Sequence, residues 1–416
     1  MTRLRESAET LRFSAVQFFF WASIVCFEAF MVPFLTDNGY SPAQSGFVMS
    51  AIFGFAIVGQ PIVGSLSDRM SSPRWIIVFA MSAAAVGALV LPRLVGIYGV
   101  VVAIALLYSL TANSLPAVID AWIMARRRAN PGLSYGIARG FGSLGFAAGA
   151  LVFGAMAERV GIPSVFRFYA GLAAAVSVVA LLMPRPAPGA RPAPGDAATP
   201  SRHARTSSRH LAEGLRAAAT NGPYLALLFA TFVAFVGFRA AITFLPLLLS
   251  SVGGTVADVG VAHSIAAVSE APLLFVSGML IRRVRGPRLI AGVLGLMAVR
   301  LYVYSLLGSP QAILLLQVTH GLTFGIFLAA AVDYIDTIAP PDHRSLFQAI
   351  APSVFFGLGS VAGSWIGGIA IEAYSLVRMY RGSALLTLTG ALIVLLLAGH
   401  ERRRGGSRAR RARPRG

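Results

Sequence analysis

The sequence contains no lysine: all 35 of its basic residues are arginine. Acids are scarce too, 16 in all, so the formal net charge is +19. Charged residues of every kind make up 12% of the chain, about half of what a soluble domain carries. With 416 residues and 56% of them apolar, so little charge cannot clothe a globule in water. An ordinary soluble enzyme is thereby excluded. The single cysteine, Cys26, excludes a disulfide framework and thiolate metal sites. His203, His210, His343 and His400 are too scattered for a metal site. No phosphate loop or clustered Ser-His-Asp set is present, so neither catalysis nor a cofactor is expected.

What the chain has instead is apolar length. Twelve runs between residues 13 and 399 approach the roughly 20 residues that cross a bilayer as a helix. Lipid offers no partner to an open backbone, so each run must be helical. The start carries Arg3, Arg5, Glu6, Glu9 and Arg12. The run after it is too long for a signal sequence and has no small-residue cleavage site, so it reads as the first span. Asn38-Gly39, Pro131-Gly132, Gly253-Gly254 and Pro340-Pro341 punctuate the runs. The arginines sort by side: 27 lie with the N-terminus, five lie opposite, and Arg139, Arg239 and Arg300 fall inside spans. The positive-inside rule then predicts two cytoplasmic termini, an even number of spans and a multi-pass protein of the bacterial inner membrane. The charge orients the chain and does not point to nucleic acid.

Residues 184–221 interrupt the pattern with six prolines, from Pro184 to Pro200, followed by Ser and Arg. They read as a flexible basic linker without apolar periodicity. The predicted organisation is a cytoplasmic N-terminus at 1–12, six helices over 13–183, a cytoplasmic linker at 184–221 and six more helices over 222–399. A disordered basic tail at 400–416 would touch anionic headgroups. The two halves repeat. A shift of 214 sets Gly39 on Gly253, Gly46 on Gly260, Gly64 on Gly278, Arg69 on Arg283 and Arg74 on Arg288. A shift of 213 sets Asp120 on Asp333.

Four motifs stand on this frame. GSLSDR at 64–69, with Arg74 beyond it, closes the second span; SLPAVIDAW is at 114–122, YGIARGFGSLGF at 135–146 and HGLTFG at 320–325. In them the chain resembles the major facilitator superfamily, and within it the phenylpropionate permeases and their lactose-permease-like relatives. The resemblance implies an all-α membrane fold of two pseudo-symmetric six-helix bundles, with a substrate site between them and alternating access. It implies a latch of Gly64, Asp68, Arg69 and Arg74 at the cytoplasmic end, although a plain charged turn fits those residues too. The Gly-Pro pair of drug antiporters is missing from the fifth span, which favours symport. The implied function is proton-coupled uptake of a small organic solute, an aromatic acid such as phenylpropionate first, or a sugar, nucleoside or siderophore. Proton-driven multidrug efflux is the alternative. The partners implied are a solute, a proton and the bilayer, with no obligate protein partner.

Ionisable groups inside spans cost about 2.5–3.5 kcal/mol each, so they face a cavity and a partner. Glu270, Arg300 and His320 fall near the midplane of the eighth, ninth and tenth spans. The resemblance places proton coupling on these three helices, with Thr323 where the lactose permease has a further acid. A static Glu–Arg pair is the plainer reading. Asp120 and Arg139 lie nearer the cytoplasmic side, as a substrate-holding pair, a gate or a structural ion pair. Asp333 takes the same reading, as a gate. Glu28 and Arg239 share a depth in the two halves and make a candidate substrate site, or a simple charge pair. Tyr108 and Phe324 are candidates for stacking on a ring; Trp21 reads as a packing residue.

Overall fold

The computed structural model describes residues 2–70, 72–183, 203–284 and 286–411, which are helical with short connections. Eleven helices among them are long and apolar enough to cross a membrane. Spans 1 to 6 are Ala8–Asp37, Pro42–Ser67, Arg74–Leu94, Tyr98–Arg128, Tyr135–Val160 and Pro163–Leu181. Span 7 is Gly222–Thr243; spans 9 to 12 are Pro287–Tyr304, Pro310–Ile338, Pro341–Ala373 and Leu376–Gly399. Between them Val256–Arg283, a helix of 28 residues, occupies the place of span 8.

The repeat that the sequence shows at a shift of 214 is physical. Gly39 and Gly253 both turn the chain with φ near +80°, at 82° and 84°, where a side chain would be strained. The next residues start spans 2 and 8 with matched capping boxes, Ser41 with Gln44 and Thr255 with Asp258. Gly46 and Gly260 then let helices cross. A Cβ on Gly46 would lie 2.3 Å from the Ser364 carbonyl oxygen of span 11. One on Gly260 would lie 2.1 Å from that of Ala150 in span 5. Ala150 and Ser364 are themselves 214 apart.

These crossings join the halves, span 2 to span 11 and span 5 to span 8. Two carboxylates complete the joint. Glu158, ending span 5, accepts from the amides of Val256 at 3.1 Å and Ala257 at 3.4 Å. Glu372, ending span 11, accepts from the amide of Ala43 at 3.4 Å. Each acid sits at the helix N-terminus of the other half, where the helix dipole favours negative charge. Ser50 adds a hydrogen bond of 2.7 Å to the Val361 carbonyl. All of these contacts gather at the end of the bundle away from the termini.

Three segments differ from the sequence reading. Residues 203–220, expected to be flexible linker, form a helix. The last linker proline is Pro200, so nothing forbids helix beyond it. Gly214 packs there against span 11, where a Cβ would come 2.6 Å from Leu346. Residues 184–202 lie outside the described residues. The first helix begins at Thr2 rather than at 13. Glu9 is buried and holds Arg126 and, at 3.0 Å, Asn130 of the turn after span 4. The last helix continues to Arg411 through most of the expected tail.

Candidate functional site

The second half brings Glu270, His320 and Arg300 into one chain of hydrogen bonds. Arg300 is 3% exposed and His320 8%. The Arg300 guanidinium meets His320 Nδ1 at 3.0 Å, Thr323 Oγ1 at 2.8 Å and Gln317 Oε1 at 3.4 Å. His320 Nε2 lies 3.3 Å from Glu270 Oε1. Arginine can only donate, so Nδ1 accepts and the ring proton sits on Nε2, pointing at the carboxylate. The neutral imidazole thus bridges a cation and an anion.

The backbone sets this geometry. Just after His320, residues Gly321–Gly325 make a turn of π-helix, a feature frequent at functional sites. Gly321 allows span 10 to touch span 8: a Cβ there would be 2.1 Å from the Ser269 carbonyl oxygen, and its amide donates to Ser269 Oγ at 3.0 Å. Glu270 is the next residue, so the same contact holds its carboxylate against His320. Phe324 is half-buried and stacks on both His320 and Phe238, with centroids 5.4 and 5.7 Å away. Gln317 also accepts from the Tyr304 hydroxyl at 3.0 Å. Sequence reasoning missed Gln317 and Tyr304, and took Thr323 only as a lost acid.

In the first half Asp120 and Arg139 are half-buried and share one cluster. Gln17 donates to Asp120 Oδ1 at 2.9 Å, and the Trp21 indole donates to Gln17 Oε1 at 2.8 Å. The Arg139 guanidinium stands over the Trp21 ring at 4.6 Å. Trp21 is therefore part of a polar cluster and not only a packing residue. Gln17 had no signal beyond being polar inside a span.

At the centre, Glu28 and Arg239 are half-buried among buried neighbours, and they make no ion pair within 4 Å. Arg239 instead lies over Phe53 of the first half, 3.6 Å from the ring centre, with its buried Nε unpartnered. Tyr108 does not line this space. It is 1% exposed and stacked on Phe27 at 3.9 Å, inside a cluster with Tyr169 and Phe166. Its aromatic face is already covered, so it has none to offer a solute.

Of the expected latch, Gly64, Arg69 and Arg74 are described, and the two arginines make no ion pair among the described residues. A Cβ on Gly64 would meet nothing within 4 Å, so this glycine permits no close helix contact. Arg69 is exposed, while Arg74 is half-buried beside Trp75 with its Nε unpartnered. The side chain of Asp68 lies outside the described residues. Asp333 is exposed and, among the described residues, makes no ion pair, whereas Asp120 is half-buried and accepts from Gln17. A shift of 214, the one the joint obeys, sets Tyr334 and not Asp333 on Asp120.

The MFS_1-like family model matches residues 10–382. The chain belongs to that family of the major facilitator superfamily. This transporter is 28% identical to the maltose permease of Geobacillus stearothermophilus over 93% of both chains. It is 22% identical to the uncharacterized transporter YwbF of Bacillus subtilis, over 88% of this chain and 87% of that one. The nucleoside transporter NupG shares its fold with a TM-score of 0.78 at 16% identity, covering 95% of this chain and 98% of that one. A D-xylose-proton symporter does so with a TM-score of 0.65 at 15% identity, covering 94% and 96%. The protein is thus a multi-pass secondary transporter with the twelve-helix fold and not an enzyme, as the motifs implied.

Proposed function

We propose that the protein couples inward proton movement to uptake of a small, net-neutral, hydroxylated solute, a sugar or a nucleoside. The observation that carries this is charge balance. With Asp333 exposed, three acids remain in the middle stretches of the spans away from their ends, Glu28, Asp120 and Glu270, and three arginines, Arg139, Arg239 and Arg300, stand with them. Among the described residues the three acids equal the three arginines in number, so the interior carries no net positive charge to attract an anionic solute. Hydroxyls suit what is left: Gln17, Trp21 and Asp120 offer donors, acceptors and an aromatic face in one place. The maltose permease and the sugar and nucleoside neighbours support the same class.

Glu270 is the proposed proton carrier, because its carboxylate lies against His320, which can pass a proton to it. The halves are joined at the end away from the termini. With cytoplasmic termini this is a cytoplasm-facing state. Opening outward would break the Glu158 and Glu372 contacts and engage the latch.

An aromatic carboxylate is the second reading. It is favoured by one feature, the unpartnered Nε of Arg239 beside Phe53. Counterflow in proteoliposomes with maltose, uridine and 3-phenylpropionate separates the two. Uptake of the acid alone would overturn the neutral-solute reading. Solute-driven alkalinisation of the medium tests coupling, and it should vanish in Glu270→Gln while counterflow persists.

A further inference from the structure

A cavity of about 260 Å³ opens on the outer surface of the second half, between spans 7, 11 and 12. Its walls are apolar: Val236 and Ala240 from span 7, Ile366 and Ala370 from span 11, Gly382 and Leu386 from span 12. Its mouth is not. Arg378, in the first turn of the last helix, and Tyr374, 69% exposed, stand there at the end of the bundle away from the termini. Arg378 is exposed and, among the described residues, makes no ion pair. Of the two arginines at this end of span 12, Arg378 and Arg381, it is Arg378 that lines the cleft.

The cleft belongs to the bilayer by position. It runs from the level where a span meets the headgroups down along two turns of span 12, about 12 Å at 1.5 Å per residue. Only a hydrocarbon chain can fill such a wall without leaving a polar group unpaired. The mouth adds a cation with donors suited to a phosphate, and a ring of the kind that settles at membrane interfaces. We propose that this groove holds one acyl chain of an anionic phospholipid whose phosphate is bound by Arg378. The bound chain lies against the contact between spans 7 and 11, where Gly363 would place a Cβ 2.5 Å from the Val236 carbonyl oxygen. Span 7 also carries Arg239, and span 11 forms the joint with span 2, so the lipid braces the helices that must move in transport.

The test uses full-length protein, delipidated in detergent, with native mass spectrometry counting retained dioleoyl-phosphatidylglycerol or dioleoyl-phosphatidylcholine. Wild type is expected to retain the anionic lipid preferentially. Arg378→Gln should weaken retention of the anionic lipid about five-fold, as one arginine near a membrane surface does, and weaken that of phosphatidylcholine less, since choline offsets the charge of its phosphate. Gly382→Leu should fill the cleft and reduce retention of both. That change needs no backbone movement, because a Cβ on Gly382 meets nothing within 4 Å. Equal retention of both lipids by wild type and Arg378→Gln overturns the headgroup assignment. Undiminished retention by a Gly382→Leu protein that elutes as a folded monodisperse peak overturns the groove. Should that variant not fold, Ala370→Leu tests the opposite wall by the same count.

Discussion

The two halves agree where they touch each other and disagree where they hold charge. At the joint the match is residue for residue: Ser41 with Thr255, Gly46 with Gly260, Ala150 with Ser364, Glu158 with Glu372. In the interior the first half has Gln17, Trp21, Asp120 and Arg139 in a half-buried cluster. The second half has a buried relay from Arg300 through His320 to Glu270, set by a π-turn. A rocking motion needs the two halves to be mechanically equivalent, so symmetry is retained at the crossings. Chemistry needs only one proton carrier and one solute-binding face, so the interiors are free to diverge.

The largest break in this comparison should come from the relay. Glu270→Gln keeps the shape but cannot carry a proton, and proton-driven accumulation should fall on the order of a hundred-fold, the scale of losing a positioned acid–base group. Asp120→Asn should leave coupling intact and weaken solute affinity, visible as a raised KM in counterflow. If both variants uncouple, the division of labour between the halves is wrong. Arg300→Leu comes next. It leaves His320, Thr323 and Gln317 without their buried donor and should cost about 3 kcal/mol of stability, read as a lowered Tm in detergent. Arg139→Leu, with Trp21 and water at hand, should cost clearly less.

A third, smaller effect distinguishes glycines that look alike in sequence. Gly321→Ala must push span 10 away from the Ser269 carbonyl and should cost about 1–3 kcal/mol. Gly64→Ala, facing open space, should stay within about 0.5 kcal/mol of wild type.

That contrast shows what the sequence could disclose. Spans and the repeat are one-dimensional patterns of apolar runs and turn residues, and they were legible. So were the three residues of the relay, because a charge inside a span demands a partner whatever the rotation of its helix. Glu158 and Glu372 carry a signal that the repeat could have supplied, since they stand 214 apart at the ends of spans 5 and 11. What was not legible depends on which way a helix faces. Tyr108 turns into the packed interior, Asp333 to the surface, and Gly64 toward nothing. Gln17, Gln317 and Tyr304 are neutral, so nothing in composition marks them; only their bonds to Asp120 and Arg300 do. The helix of the linker was hidden by the prolines that precede it.

The smallest effect is the sharpest test of symmetry. Glu158 and Glu372 each place a carboxylate on a helix N-terminus of the opposite half, an interaction worth about 0.3–1 kcal/mol when exposed. Glu158→Gln or Glu372→Gln retains a weaker acceptor and loses the charge, so each should favour opening at that end by only a few-fold. The readout is labelling of a cysteine placed at Ser50, which is closed off by Val361 in this state; the native Cys26 is buried and silent. If the joint is mechanically symmetric, the two single variants should raise the labelling rate by similar factors, and the double variant by their product, because the two contacts share no partner. A large effect from one acid and none from the other would mean that one pair of crossings bears the closure and the repeat is only ancestral there. High salt should shrink both effects, since each acid is exposed and its attraction is screened.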